Sequence, residues 1–299
     1  MGKVREKPTV AASRARKTAR RRTTVLARSH RPTWFGVLAA VLLAPAFLAP
    51  PVHAAAPNDP AGPGPVTSTM IVSAASSLTE AFEELAAEFE RLHPGVRVEL
   101  NLGGSSTLAT QVLNGAPVDV LASADSLQMA RVEGAGLVSG APRVFAANVL
   151  VAITPAGSSL TDLADLAAPG VRLVLAGPEV PAGRYAREWL GALDPIFGVG
   201  FAAKALANLV SEETNVRQVA AKVELGEADA AIVYATDVRV LAGVRVLPTA
   251  GLPEMRTEYL LAALATGDAA RSALAEEFVA LVLSPQGEAA LTARGFAAP

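Results

Sequence analysis

From residue 69 onward, short runs of apolar, often β-branched residues alternate with stretches whose apolar positions recur every three or four residues. The runs predict strands over 69–74, 96–102, 118–123, 144–153, 172–176, 207–211, 230–235, 245–248 and 257–264. The stretches predict helices over 78–92, 106–114, 126–134, 161–167, 183–193, 200–206, 216–225, 268–283 and 285–293. Strands apolar on both faces belong to a sheet covered on both sides, and the βαβα rhythm predicts an α/β protein of mostly parallel strands flanked by helices. About 235 residues is large for one doubly wound sheet. Two lobes are therefore expected, the first from 68–147 plus 237–299 and the second from 148–236. Two crossover segments, Arg143 to Pro155 and Ala231 to Val238, would form the hinge. Ligands in such folds sit beyond the C-terminal ends of strands, which here is the cleft between lobes.

Charge separates the N-terminus from the rest. Of 26 Lys/Arg and 28 Asp/Glu, eleven bases and one acid precede residue 57, leaving 15 bases against 27 acids after it. The basic region ends at Arg31, and Trp34 to Ala49 is an apolar run of signal-peptide length, interrupted by Pro45. Val52-His53-Ala54 places small residues where a cleavage site needs them, so 1–54 reads as a signal peptide and 55–67 as a flexible leader. The expected destination is the periplasm. The chain has no Cys, hence no disulfide and no lipid-bearing thiol. The acidic remainder has no basic stripe and excludes nucleic acid as partner.

The chemistry lies where strands hand over to helices. Ala75-Ser76-Ser77-Leu78-Thr79-Glu80 follows one strand, and Ser77 with Glu80 fits a capping box. Gly103-Gly104-Ser105-Ser106-Thr107 follows the next strand; Val180-Pro181-Ala182-Gly183 and Asn215-Val216-Arg217-Gln218 open two further helices. Each is compatible with an ordinary cap. Each also offers unpaired N–H groups and a partial positive charge, which together make an anion site. Asp125 with Gln128 fits a cap too, but an acid at its mouth makes it structural. Tyr234, at the end of the 230–235 strand, is either a core-edge residue or a hydroxyl aimed at the same space. A cage of amides and hydroxyls without Lys, Arg or carboxylate suits a fully ionised oxyanion and disfavours a protonated phosphate, which needs an acceptor.

The segments ASSLTEAF, GGSSTLATQVLNGAPVDVLASAD, GPEVPAGRYAREWL, NVRQVAAKVELGEADAAIVYATD and SPQGEAALTARGF, in that order between Thr69 and Phe296, resemble the periplasmic molybdate-binding proteins of ABC importers. The resemblance implies a type II solute-binding fold with two α/β lobes. It implies molybdate, and tungstate with it, held in the cleft as an oxyanion by Ser77, Ser105, Ala182, Val216 and Tyr234, with no direct metal ligand and no cofactor. It also implies a monomer that delivers its cargo to an ABC permease in the inner membrane. The segment 191–211 is longer than the resemblance leads one to expect.

Two other readings stand beside it. One is a binding protein for another tetrahedral oxyanion, sulfate or thiosulfate. The other is a serine-dependent periplasmic hydrolase, which needs a base beside Ser77 or Ser105. After the leader the chain has only His93, in a helix-ending sequence, and no G-x-S-x-G elbow, so a non-enzyme is expected.

Overall fold

The computed structural model describes residues 66–299. The segment 1–54 read as a signal peptide, and all but the last two residues of the expected leader, lie outside the described residues. In chain order the elements are β1 (Ser68–Ala75), α1 (Thr79–Leu92), β2 (Val96–Gly103), α2 (Ser105–Leu113), β3 (Val120–Ser123), α3 (Ser126–Gly134) and β4 (Val138–Pro155). Then come β5 (Leu173–Ala176), α4 (Pro181–Phe197), α5 (Phe201–Ala207), β6 (Leu209–Glu213), α6 (Val216–Glu224) and β7 (Ala230–Tyr234). The chain closes with α7 (Ala235–Val238), β8 (Val244–Val246), β9 (Arg256–Leu264), α8 (Ala269–Val282) and α9 (Pro285–Ala293). Short 3-10 turns precede α1 at Ser76–Leu78 and β5 at Leu163–Ala167.

The periodicities become faces. On α1, Phe82, Leu85, Ala86 and Phe89 are buried while its glutamates stay partly or fully exposed, an amphipathic arrangement that drives the helix onto the sheet. The helix stops at His93-Pro94-Gly95, where Gly95 turns the chain at φ 95°. On α6 the buried residues Val216, Val219, Ala220 and Val223 have the same spacing.

The strands form one continuous order, β2-β1-β3-β9-β4-β7-β5-β6, with β8 added beside β4. The outer three strands of each half are parallel: β2, β1 and β3 on one side, β7, β5 and β6 on the other. The expectation of mostly parallel lobes describes those outer strands; β9 and β4 run antiparallel to them and make each sheet mixed. The 18-residue β4 belongs to both halves. It pairs with β9 up to Val149 and with β7 from Leu150.

The return path differs from the crossover read at Ala231 to Val238. After β7 the chain turns through α7 and adds β8 to the last residues of β4, in the second half. It regains the first half only at β9, whose Arg256 pairs with Val149. The strand read at 245–248 is present as β8, but three residues of mixed polarity do not say which strand they join. The long segment 191–211 continues α4, turns at Gly198 and Gly200, both with positive φ, and forms α5. Asp194 holds that corner by accepting from Ala202 N at 2.7 Å.

Aromatic edges lock the first half: Phe145 and Phe296 meet the Tyr259 ring at centroid distances of 6.3 and 5.3 Å. Tyr259 is thereby fixed, fully buried, beside the strand crossing. Trp189 is buried in the second half, its indole N–H donating to Pro253 O at 2.7 Å.

Candidate functional site

Ser77, Ser105, Ala182, Val216 and Tyr234 line a single small cavity between the two halves of the sheet. Ser76, Gly104 and Ala124 also face it, whereas Ser106 does not. No Lys, Arg, His or carboxylate lines the cavity.

Each residue arrives by a different local route. The 3-10 turn at Ser76–Leu78 delays the start of α1, so its N-cap is Leu78 and no side chain caps it. The capping box expected of Ser77 and Glu80 therefore does not form. Ser77 Oγ instead lies 2.9 Å from Tyr259 Oη, and Glu80 pairs with Arg217 at 2.6 Å. Ser105 is the first residue of α2, after an uncapped Gly104. Its Oγ accepts from Ala124 N at 3.0 Å, which leaves the hydroxyl proton to donate elsewhere. Ala182 follows Pro181 in the first turn of α4, which also has no side-chain cap. There Gly183 is required: a Cβ would lie 2.1 Å from Gly177 O and 2.2 Å from Ala176 O. At α6 the expected cap is present, Asn215 accepting from Gln218 N at 3.1 Å, and the Val216 N–H falls outside it. Asp125 also caps as read, accepting from Gln128 N at 2.9 Å.

Tyr234 ends β7 and is 1% exposed, yet its hydroxyl has no hydrogen-bond partner among the described residues. An unpaired buried hydroxyl costs about 1–3 kcal/mol unless something fills the gap. Burial holds its pKa well above 10, so it stays a donor. Helix-start amides, two serine hydroxyls and one phenol thus surround a small space lined by no charged side chain.

Contacts that no local pattern announces bring the halves together. A Cβ on Gly104 would lie 2.2 Å from Thr214 O, across the cleft. Arg184 on α4 reaches Asp125 at 3.0 Å, and Gln128 Nε2 donates to Glu179 O at 3.1 Å. Arg217 joins Glu80 of the first half to Asp237, with Nε 2.8 Å from Asp237 Oδ1 at an angle that makes an ion contact rather than a hydrogen bond. Asp237 is fully buried, and burial pushes its carboxyl up to about 7 against the pull of Arg217 and of the Tyr234 amide. Tyr259 and Asn148, in contact with each other behind Ser77, are likewise not foreseen from sequence.

His93 stacks on Phe89 at 4.0 Å with its Nδ1 3.5 Å from Glu277, away from both serines. No group of side chains suited to a metal ion occurs among the described residues, and none of their helices is long and apolar enough to cross a membrane.

Residues 70–297 match the family described as bacterial extracellular solute-binding protein. The molybdate-binding protein ModA of Mycobacterium tuberculosis is 38% identical over 248 residues, covering 81% of this chain and 89% of that protein. ModA of Escherichia coli is 32% identical over 235 residues, covering 75% of this chain and 87% of its own. The solved periplasmic molybdate-binding protein of Azotobacter vinelandii superposes with a TM-score of 0.63 at 23% identity, over 77% of this chain and 99% of that one, which shows the two-lobed fold.

Proposed function

For a chain that belongs to the bacterial extracellular solute-binding proteins, and so is a binding protein rather than an enzyme, we propose that the cleft captures molybdate, and tungstate with it, for import. The observation that carries this reading is convergence. Five residues from four helix starts and one strand end, the ones the resemblance implies, line one cavity without a charged side chain. Its free phenol hydroxyl waits for an acceptor.

The mechanism follows from where the donors sit. Ser77 and Ser105 belong to the first half, Ala182, Val216 and Tyr234 to the second. An anion that accepts from both stabilises only the closed arrangement, so binding shifts the hinge equilibrium toward closure. Charge-assisted hydrogen bonds contribute about 1.5–3 kcal/mol each, and five of them, less desolvation, reach the roughly −8 kcal/mol of micromolar binding. With no carboxylate among the lining residues to take a proton from the guest, the cage favours an oxyanion fully ionised at neutral pH. A first lobe boundary near residue 148, the export signal in 1–54, a periplasmic monomer without cofactor, and delivery to an ABC permease are parts of the same proposal.

Calorimetric titration of the purified protein with molybdate, tungstate and sulfate tests it. Heat with both metal oxyanions and a far weaker response to sulfate is expected. Binding of sulfate alone would replace the molybdate assignment.

A further inference from the structure

Resting on the oxyanion reading above, we propose that Arg184 and Arg217 hold the guest without touching it: each neutralises, only when the cleft is shut, a first-half carboxylate that otherwise repels an anion in the cavity. They are positioning residues for closure, and they set affinity through charge.

Both arginines follow one plan. Arg184 lies two residues beyond Ala182 on α4, and Arg217 directly follows Val216 on α6, so each rides on a helix whose start lines the cavity. Each guanidinium holds one carboxylate of its own half. Arg184 Nη1 donates to Glu188 Oε1 at 2.7 Å, one turn along the same helix, and Arg217 Nε lies 2.8 Å from Asp237 Oδ1. Each then reaches across. Arg184 Nη2 donates to Asp125 Oδ2 at 3.0 Å. Arg217 takes Glu80 with both terminal nitrogens, Nη1 to Oε1 at 3.0 Å and Nη2 to Oε2 at 2.6 Å, the two-pronged geometry in which a guanidinium binds a carboxylate most strongly. The Arg184 group is fixed further by the Tyr185 ring, 4.1 Å beneath it.

The carboxylates reached in this way stand beside the anion wall of the first half. Asp125 directly follows Ala124, which lines the cavity, and Glu80 is three residues beyond Ser77. Asp125 spends Oδ1 on the Gln128 amide at the start of α3 and presents Oδ2 to the cleft. In an open cleft both acids keep their water, and their charge is screened. Closure strips that water: Asp125 is fully buried, and the Glu80 and Arg217 side chains are only 28% and 23% exposed. A carboxylate buried beside a captured anion needs a cation of its own. No charged side chain lines the cavity, so that cation arrives with the other half. Glu188 and Asp237 hold the two guanidinium groups in place before closure, which lowers the cost of ordering them.

The test is a double-mutant cycle at each pair on the full exported protein, with molybdate titrated by calorimetry and the ligand-free Tm taken to confirm folding. Arg184→Gln leaves Asp125 buried without its cation, and the molybdate Kd should rise about tenfold or more. Asp125→Asn keeps an acceptor for the Gln128 amide and removes the repelling charge, so its Kd should shift by less. The double variant should bind like Asp125→Asn alone, because deleting the carboxylate rescues deletion of the arginine. The same order is expected for Arg217→Gln, Glu80→Gln and their combination, compared in an Asp237→Asn background so that no second buried acid loses its cation. The ligand-free Tm should move little in Arg184→Gln, whose partner across the cleft is hydrated when the halves are apart. Losses that multiply in the double variants overturn the proposal, since removing an acid does not rescue an arginine that merely packs. So does an unchanged Kd in both arginine variants. Failure of the oxyanion reading shows separately, in the wild type: no response to molybdate or tungstate there defeats that reading. If sulfate binds instead, the same cycles on the sulfate Kd test Arg184 and Arg217.

Discussion

The two walls of the cleft solve one problem with different means. The first half contributes serine hydroxyls, which rotate and so must be aimed by partners: Ala124 N for Ser105, Tyr259 for Ser77. The second half contributes helix-start amides at Ala182 and Val216, aimed by the backbone itself, and one phenol held by burial alone. The difference teaches where sequence change acts. Side-chain substitutions can retune the first wall, whereas the second is altered mainly by moving a helix.

The glycines at the two walls give the largest test of this contrast. Gly104 has ordinary backbone angles, φ −68° and ψ 133°, so Gly104→Ala strains nothing until the halves close and its Cβ meets Thr214 O. Its molybdate affinity should fall by about a hundredfold or more, roughly 2.7 kcal/mol, while the Tm of the ligand-free protein stays near wild type. Gly183 packs against its own half, so Gly183→Ala should act as overpacking, costing about 1–3 kcal/mol of stability and lowering Tm by several degrees. Equal losses of Tm in both variants would erase the distinction.

Asp237 offers a pH test of the clasp between the walls. Its carboxyl is raised to about 7 in the folded protein from an ordinary value of 3.8. Between those values the folded state holds a proton that the unfolded state has released. Stability should therefore decline as pH rises from about 4 to 7 and level off above, where the cost of the buried charge is fully expressed. Tm measured against pH should lose that part of its slope in Asp237→Asn, which keeps an acceptor for the Tyr234 amide. A slope identical to wild type would remove Asp237 as its source.

Tyr234→Phe is the smallest and most discriminating change. Molybdate binding should weaken by about 1–3 kcal/mol. The ligand-free Tm should hold or rise, because the variant deletes a buried hydroxyl that has no partner. Unchanged affinity in calorimetry would take Tyr234 out of the site.

Most of the architecture was legible because its determinants are local. The α1 and α6 faces, the Asn215 and Asp125 caps, and the strand-to-helix hand-overs at Gly104 and Val180 each occupy a few consecutive residues. The same holds for the element-end segments that carry the five cavity residues, the individual residues being those the resemblance implies. What escaped was non-local. Ser77 looked like a cap because Glu80 stands three residues on, yet Tyr259 and Arg217 claim those side chains from 182 and 137 positions away. The return through β8 escaped because its strand is three residues long and finds its partner 91 positions earlier, Arg245 beside Thr154.

The shared strand β4 has a last consequence. A hinge made of loops would let two bodies swing at almost no cost. Here an unbroken ribbon passes through both, so opening is a torsion of β4 about the point where it exchanges β9 for β7, between Val149 and Leu150. Such a joint behaves as a soft spring with a built-in rest angle, and the energy of capture is shared between gripping the guest and winding that spring.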